Sequence, residues 1–233
     1  RGLGDVYKRQ MKGQAPDALL DTYDADRTYA ADENIRNSTR STDFITPKSA
    51  VSKLFRNAAL ELARTQPFAR KLVNSGRLSV PSFLVHSALN TPDVDAFAGN
   101  MVPGAPMDDA PVRVAGQDAW LLDQLGNRFV LMVFVDGAQG PDPAQRTSLQ
   151  ALAQAAIPVS LLTVGAGGNV EDPQGLVAKR CDARPGTAYL VRPDQHVAAR
   201  WRHVDMAAVQ AALARATGQG LATAVTPAEA MAA

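Results

Sequence analysis

The sequence predicts an α/β protein in which a helical N-terminal part precedes a compact α/β module. Two observations support this fold class. Apolar residues recur at helical spacing between residues 16 and 74. Further along, the apolar runs 129–135 and 157–164 are continuous rather than alternating, which is typical of strands with both faces covered. The 233 residues suffice for one large domain, or for an ordinary domain with an appendage.

Three helices are predicted up to residue 77. The first covers 16–42 and is polar with a narrow apolar stripe. The second begins at Thr46 and Pro47, since threonine can cap a helix and proline fits its first turn. The third covers 67–74 and ends before Gly76. The second helix has the clearest period, and its apolar residues are Val51, Leu54, Phe55, Ala58, Ala59 and Leu62.

A connector and then the α/β module are predicted after these helices. Residues 78–110 are rich in Pro, Gly, Asp and Asn without a sustained period, so they are expected to run across a surface between two units. Residues 111–217 are expected to follow the order β-α-β-α-β-β-α, with helices on both sheet faces. Asp142 and Pro143 open its first helix, and Asp205 caps its last. The tail 218–233 is expected to fray.

Composition and charge argue against several function classes. The formal net charge is +1, and no basic patch is interleaved with aromatic residues, so nucleic acid and anionic membrane surfaces are not expected partners. The apolar runs are shorter than the ~20 residues of a membrane helix. The single cysteine, Cys181, precludes an internal disulfide and indicates a reducing, cytoplasmic compartment. Its simplest role is that of a small buried hydrophobic residue.

The residues alone predict no catalytic, cofactor-binding or metal site. The glycine-rich stretch 164–169 follows a strand, but residues 170–173 cannot open a helix that would hold a phosphate. Three histidines lack metal-ligand spacing, although two of them could converge in space. These histidines are His86, His196 and His203.

Other polar and aromatic residues have simpler expected roles. Hydroxyl residues near Asp43 are expected to cap or to bond along a helix surface, because no glycine-flanked nucleophile turn surrounds them. These are Ser38, Ser41 and Thr42. Asp24, Asp26 and Arg27 are expected to form local ion pairs on the first helix. Trp120 and Trp201 are expected to anchor a core or an interface.

The element order of 111–217 resembles a thioredoxin-like domain. A redox-active member carries Cys-x-x-Cys where the first strand meets its helix, because a helix N-terminus lowers the pKa of a thiol. Here that junction, 136–141, has no cysteine, and Gly186 stands where the family usually has a cis-proline. The resemblance therefore implies a domain kept for packing or assembly. A thiol oxidoreductase acting through Cys181 is therefore the least favoured function for this chain.

Two distant stretches resemble FAD-dependent aromatic-ring hydroxylases, such as the phenol and 3-(3-hydroxyphenyl)propionate hydroxylases. LLDTYDADRTYAADENIRNSTRSTDFITP, residues 19–47, resembles the helix pair that ends their catalytic region. Tyr23, Asp26 and Arg27 stand in its recurring Tyr and acidic-Arg pattern. ARPGTAYLVRPDQHVAARW, residues 183–201, resembles their C-terminal thioredoxin-like domain, and residues 101–107 resemble the approach to it. The likeness extends from Met11 to about Thr217.

This resemblance implies a parent enzyme that binds FAD, takes a hydride from NADPH or NADH and hydroxylates a phenolic ring. The family's flavin-binding elements are a Gly-x-Gly-x-x-Gly turn, an Asp-Gly motif and a Gly-Asp stretch, and none is matched here. No catalytic, cofactor-binding or metal residue is therefore carried over. Residues 11–77 become the helical end of the catalytic region, and the chain alone is expected to bind no cofactor and to be inactive. The aromatic substrate and the choice of nicotinamide cofactor stay open.

The first ten residues, RGLGDVYKRQ, raise the question of where the protein begins. DVYKRQ resembles the translation of a transposon end used in sequencing libraries, so residues 1–10 are left out of the fold prediction. The gene is then expected to continue upstream of Met11, and the chain to be a fragment of the hydroxylase. The alternative is a stand-alone assembly module that forms a homodimer or docks on a partner, favoured by the exposed apolar face expected at 51–62.

Overall fold

The computed structural model describes residues 8, 10–73, 81–137 and 143–219. The chain divides into two units, Arg1–Asp26 with Phe83–Ala233 (unit 1) and Arg27–Ser82 (unit 2). Gly76, Asp142 and nearly all of the predicted tail lie outside the described residues. The elements are α1 (Ala18–Ile45), α2 (Ala50–Thr65), α3 (Pro67–Val73), β1 (Pro111–Val114), β2 (Gln117–Trp120), α4 (Leu121–Gln124), β3 (Phe129–Asp136), α5 (Pro143–Ala153), β4 (Val159–Ala166), α6 (Leu176–Arg180), β5 (Ala188–Val191), β6 (Val197–Trp201) and α7 (Met206–Ala216).

The three N-terminal helices form as predicted, but the predicted start of the second was wrong. α2 begins at Ala50, and its cap is Ser49, whose Oγ accepts a hydrogen bond from the Ser52 amide at 3.1 Å. Thr46 instead closes α1. Its amide and its Oγ1 both donate to the Thr42 carbonyl, each at 2.8 Å. The hydroxyl that could have capped the second helix is therefore used by the first.

The predicted apolar face of α2 is exposed within unit 2. The exposed fraction is 78% for Val51, 71% for Leu54, 63% for Phe55 and 42% for Leu62, whereas Ala59 is buried. We call Val51, Leu54, Phe55, Ala58 and Leu62 the α2 stripe. The helix is thus amphipathic with its apolar side turned to solvent.

Unit 1 is built on a mixed four-stranded sheet with the order β4-β3-β5-β6. β3 and β4 are parallel, with register from Phe129↔Val159 to Asp136↔Ala166. β5 is antiparallel to both of its neighbours. Alternate residues of β3 enter different apolar clusters, Val130 and Met132 on one face and Leu131 and Val133 on the other. The continuous apolar run of β3 therefore reflects burial on both faces, as predicted.

The two faces of this sheet are covered in different ways. α5 and α7 cover the face of Leu131, through Leu149, Leu152, Val209, Ala212, Leu213 and Ala216. Asp205 caps α7 as predicted, its Oδ1 accepting from the Ala207 amide at 2.9 Å. On the opposite face, short elements and irregular chain share the work, including Val112, Leu121 and Val177. Helices are therefore present on both faces, as predicted, but on this second face only the short helices α4 and α6 contribute, together with irregular chain.

The predicted surface connector is irregular, and it is exposed in part, but it also buries several apolar side chains. Met101, Ala105, Met107 and Ala110 are buried in the same cluster as Val130 and Met132. A proline- and glycine-rich chain has no period to reveal this, yet it can bury single apolar side chains where its backbone groups find partners. From residue 83 onwards this chain belongs to unit 1.

Residues 91–107 also pair with the outer edge of β6, and we call them the edge cover. The Thr91 amide donates to the Ala198 carbonyl at 2.8 Å, and the Gly104 amide to the Val197 carbonyl at 2.7 Å. In return the Val197 amide donates to the Ala105 carbonyl at 2.9 Å. Gly104 has φ +89°, and a Cβ there would lie 2.4 Å from the Leu84 carbonyl oxygen. Position 104 therefore requires glycine. With glycine there, the edge cover can supply hydrogen-bond partners to the outer edge of β6.

Candidate functional site

A buried cluster of polar side chains joins the start of α1 to the turn between β5 and β6 in unit 1. The Ser87 Oγ donates to Asp26 Oδ2 at 2.9 Å, and the Arg192 Nη2 lies 3.8 Å from the same oxygen. Arg192 also makes a two-point pair with Asp194, with Nε–Oδ1 at 3.2 Å and Nη2–Oδ2 at 2.7 Å. The His196 Nδ1 is 3.4 Å from Asp194 Oδ1. We call these five residues the polar cluster.

The two carboxylates of the polar cluster sit in opposite electrostatic situations. Burial raises the pKa of Asp26, against the opposing effects of the Arg192 charge and the Ser87 hydrogen bond. Burial would also raise the pKa of Asp194. The Arg192 charge, together with hydrogen bonds from His196 and Arg192, outweighs it and holds that pKa well below its usual range. Arg192 is therefore committed mainly to Asp194, and Asp26 is the less compensated carboxylate.

Asp26 corrects the expectation of local ion pairs on the first helix. Asp26 contacts Ser87 and Arg192, which are distant in sequence, and it is 8% exposed. One feature of the sequence could have indicated that Asp26 is buried. Asp26 follows Leu19 by seven residues, which places it on the same helix face as that buried leucine. An aspartate on a buried face needs a cation from elsewhere in the fold, and periodicity cannot say which one.

A second set of charged side chains fastens the edge cover to β6. Arg200, which is 4% exposed, pairs with Asp93 through Nε–Oδ1 at 3.0 Å and Nη2–Oδ2 at 2.6 Å, and its Nη1 donates to the Met101 carbonyl at 3.1 Å. The Phe97 ring lies 4.4 Å from the Arg200 guanidinium carbon and 3.8 Å from that of Arg202. This arrangement holds the edge cover against the sheet, and the two guanidinium groups are occupied by these contacts.

Cys181 is buried, as predicted. It is 1% exposed, and its carbonyl accepts a hydrogen bond from the Tyr189 hydroxyl at 2.6 Å. Burial, followed by the nearby charges of Asp108 and Asp172, raises the pKa of the thiol to about 12. The thiolate is the reactive species, and here it is both scarce and enclosed.

We expect Cys181 to resist iodoacetamide at pH 8 in the folded protein, because the thiol is buried and its raised pKa lies far above that pH. Mass spectrometry should show labelling below about 5% after one hour, and complete labelling in guanidinium. Thr39, which is exposed on α1, provides the control as Thr39→Cys, whose new thiol should react within minutes. Rapid labelling of Cys181 in the folded chain would contradict its enclosed position.

The glycine-rich stretch 164–169 forms a closed loop at the end of β4. The Asn169 Oδ1 accepts from the Thr163 amide at 2.7 Å and from its Oγ1 at 2.9 Å. The Val170 amide donates to the Thr163 carbonyl at 3.0 Å. The next helix, α6, begins only at Leu176. The loop therefore turns its polar groups onto its own strand, which disfavours a phosphate site at this position.

The other candidate residues are spread over the fold. His86 lies in a turn before the edge cover, His196 belongs to the polar cluster and His203 follows β6. Trp201 is buried in the core, whereas Trp120 is 53% exposed. The hydroxyl residues Ser38, Ser41 and Thr42 lie within α1. Over the described ranges, no three His, Cys, Asp or Glu side chains are grouped to hold a metal ion. No helix in that part of the chain is long and apolar enough to cross a bilayer.

Comparison with known proteins gives concordant results. A family model described as "Aromatic-ring hydroxylase, C-terminal" matches residues 100–220. A 4-methyl-5-nitrocatechol 5-monooxygenase from a Burkholderia species is 30% identical in an alignment of 208 residues that covers 84% of this chain and 34% of that protein. The flavin-dependent monooxygenase PieE, solved with FAD and substrate, superposes with a TM-score of 0.68 at 22% identity, over 94% of this chain and 43% of that one. Aklavinone-11 hydroxylase, solved with FAD and aklavinone, gives 0.61 at 21% identity, over 93% and 38%.

These matches confirm the resemblance seen in residues 19–47 and 183–201. The family model spans more than half of the chain, and the solved structures share its mixed α/β fold. The chain spans only about a third of the length of the curated relative, and about two fifths of the solved ones. This chain belongs to the aromatic-ring hydroxylase family and corresponds to the C-terminal portion of its members.

Proposed function

We propose that this chain is part of an FAD-dependent, NAD(P)H-using monooxygenase that hydroxylates phenolic or related aromatic substrates in the cytoplasm. One observation carries the proposal. The match to the nitrocatechol monooxygenase takes in 84% of this chain, so it includes helical sequence before residue 100 as well as the C-terminal module. A reused C-terminal module would match without those helices. The single buried cysteine supports the cytoplasmic location.

In this proposal the C-terminal module is thioredoxin-like and serves packing rather than redox chemistry. The sheet order β4-β3-β5-β6, with β4 and β3 parallel and the β5–β6 hairpin antiparallel, supports the thioredoxin-like assignment. The burial and raised pKa of Cys181 argue against thiol chemistry. The module's work is to order the β5–β6 turn and the start of α1 through the polar cluster, so that the chain entering it is fixed in position.

The flavin site of the proposed enzyme belongs to polypeptide outside this chain. When bound in the whole enzyme, FAD supplies the oxygen-activating chemistry. The described residues do not fit it, because the glycine-rich turn 164–169 is closed by Asn169 and is not followed directly by a helix. No step of the hydroxylation is therefore assigned to a residue of this chain.

Two measurements test the proposal. The purified chain, incubated with FAD and passed over a desalting column, is expected to show no flavin absorbance near 450 nm. The reading frame extended upstream of Met11 should encode a protein that retains FAD and consumes NADPH or NADH faster when a phenol is added. Stoichiometric flavin on the chain alone would contradict the assignment of the site. An extended protein that holds no flavin would contradict the proposed FAD-dependent activity.

A second candidate is a non-catalytic assembly module that forms a homodimer. The exposure of the α2 stripe favours it, since patches of this kind promote association. Sedimentation of the chain from 1 to 100 μM separates the two, because a dimerisation module should show a mass that rises with concentration. A constant monomer mass argues against this candidate.

A further inference from the structure

The polar cluster lies where the chain leaves unit 1 and where it returns to it. Asp26 is the last residue of unit 1 before the chain passes into unit 2, and the chain re-enters unit 1 at Phe83. The hydrogen bond from Ser87 to Asp26 therefore joins positions that are 61 apart in sequence. Through Arg192, the same carboxylate also meets the turn between β5 and β6. Three segments of unit 1 thus converge on one buried side chain.

The polar cluster contains one carboxyl group more than its permanent cation can balance. Arg192 is that cation, and its two short contacts, at 3.2 and 2.7 Å, are both with Asp194. Its Nη2 lies 3.8 Å from Asp26 Oδ2, which is beyond hydrogen-bond length. The side chains of Asp26 and Arg192 are each 10% exposed, so water compensates the charge of Asp26 only weakly. An ionised carboxyl group is costly in this position, and a bound proton removes that cost.

We propose that the polar cluster is a pH-sensitive clamp, in which a proton on Asp26 holds the first turns of α1 against the β5–β6 turn and its loss to water loosens them. An uncharged carboxyl group keeps a carbonyl oxygen that can accept from the Ser87 hydroxyl, so the closed state needs no new partner. The ionised form must draw Arg192 away from Asp194 or admit water, and either change separates the segments.

The groups around Asp26 determine the direction of the response. Burial raises the pKa of Asp26; the charge of Arg192 and the Ser87 hydrogen bond oppose this effect, the charge of Asp194 adds to it, and His196 opposes it. Because the pKa in the folded protein lies above the ordinary value of about 3.9, the clamp is tightest near that pH and loosens as the pH rises through the raised pKa towards 7. Asp194 stays ionised throughout this range, because its pKa is lowered.

Hydrogen exchange of the present chain between pH 4.5 and pH 7.5 tests the clamp. After correction for the chemical exchange rate, the protection of amides 22–26 and of the Ser87 and Asn90 amides should fall at least about fivefold across this range. Amides of β3 should change by less than about twofold.

Two variants separate the charge of Asp26 from its place in the fold. Asp26→Asn cannot ionise, so at pH 7.5 it should be as well protected in these segments as the parent is at pH 4.5. Asp24→Asn removes the same charge from an exposed position on the same helix and should follow the parent at every pH. Neither measurement involves flavin, so the outcome is independent of the proposed function.

Several results would overturn the clamp. Protection that does not change with pH in the parent removes the proton-linked opening, and a fall shared equally by β3 indicates global unfolding instead. If Asp26→Asn keeps the pH dependence of the parent and His196→Gln abolishes it, the proton resides on His196 and the assignment to Asp26 is wrong. If Asp26→Asn does not fold, the ¹³C carboxyl resonance of Asp26 in the parent decides. Its titration midpoint should lie above about 3.9, and a midpoint at or below that value contradicts the proposal.

Discussion

Replacing Arg192 with methionine is expected to lower the free energy of unfolding by about 3 to 5 kcal/mol at pH 7. The substitution keeps the volume of the side chain but leaves Asp26 and Asp194 in a buried cluster without their guanidinium. Urea unfolding followed by circular dichroism measures the change. Arg215, exposed in the last turn of α7, is the matched control, and Arg215→Met should cost less than about 1 kcal/mol.

The pH dependence of this variant distinguishes lost charge compensation from lost packing. In the parent protein, Asp194 has a lowered pKa, so its stabilisation is present above the unfolded pKa near 3.9 and is lost only in stronger acid. Without Arg192, burial raises the pKa values of both carboxyl groups. The variant should then gain stability as the pH falls from 7 towards 4.5, and Asp194→Asn in the same chain should recover more than about 1 kcal/mol. A deficit independent of pH would indicate packing alone.

Replacing Arg200 with methionine is expected to cost about 2 to 4 kcal/mol and to loosen the edge cover. The change removes the two-point pair with Asp93, the bond to the Met101 carbonyl and the stacking on Phe97. Hydrogen exchange should show the amides of Thr91 and Gly104, which bond to β6, losing more protection than amides of β3.

The control for Arg200 is Arg113, whose pair with Asp118 is exposed at 3.5 Å. Arg113→Met should change stability by less than about 1 kcal/mol and leave exchange at Thr91 and Gly104 as in the parent. If Arg200→Met lowered the protection of β3 and of the edge cover equally, the effect would be global unfolding, and the fastening role would be wrong.

The parts of the fold that follow local rules could be predicted from the sequence. The strands β3 and β4 follow from continuous apolar runs, and the cap of α7 follows from Asp205. The β1–β2 hairpin was missed for a local reason. Its turn is Ala115-Gly116, with φ +50° and +78°, where alanine replaces the asparagine or aspartate that usually marks such a turn.

The polar cluster and the edge cover could not be predicted, because both depend on pairing between distant segments. The sequence predicted only local ion pairs for Asp26 and gave no sign that Arg192 would be buried beside it. They nevertheless lie in the two stretches whose likeness to the hydroxylases was visible in the sequence. The resemblance thus marked both halves of one contact, although it could not show that they meet.

Because of the edge cover, the folded unit takes in residues that lie before the range that the family model recognises. The recognised range begins at residue 100, inside the cover, whereas the hydrogen bonds to β6 begin at Thr91 and the partner of Arg200 is Asp93. A piece trimmed to residue 100 would expose part of the outer edge of β6 as a template for strands of other molecules. A piece that keeps the edge cover must therefore begin before Thr91, and one that also keeps Asp26 of the polar cluster must begin before that residue. Polymerisation of shorter pieces would reflect the cut rather than a natural assembly.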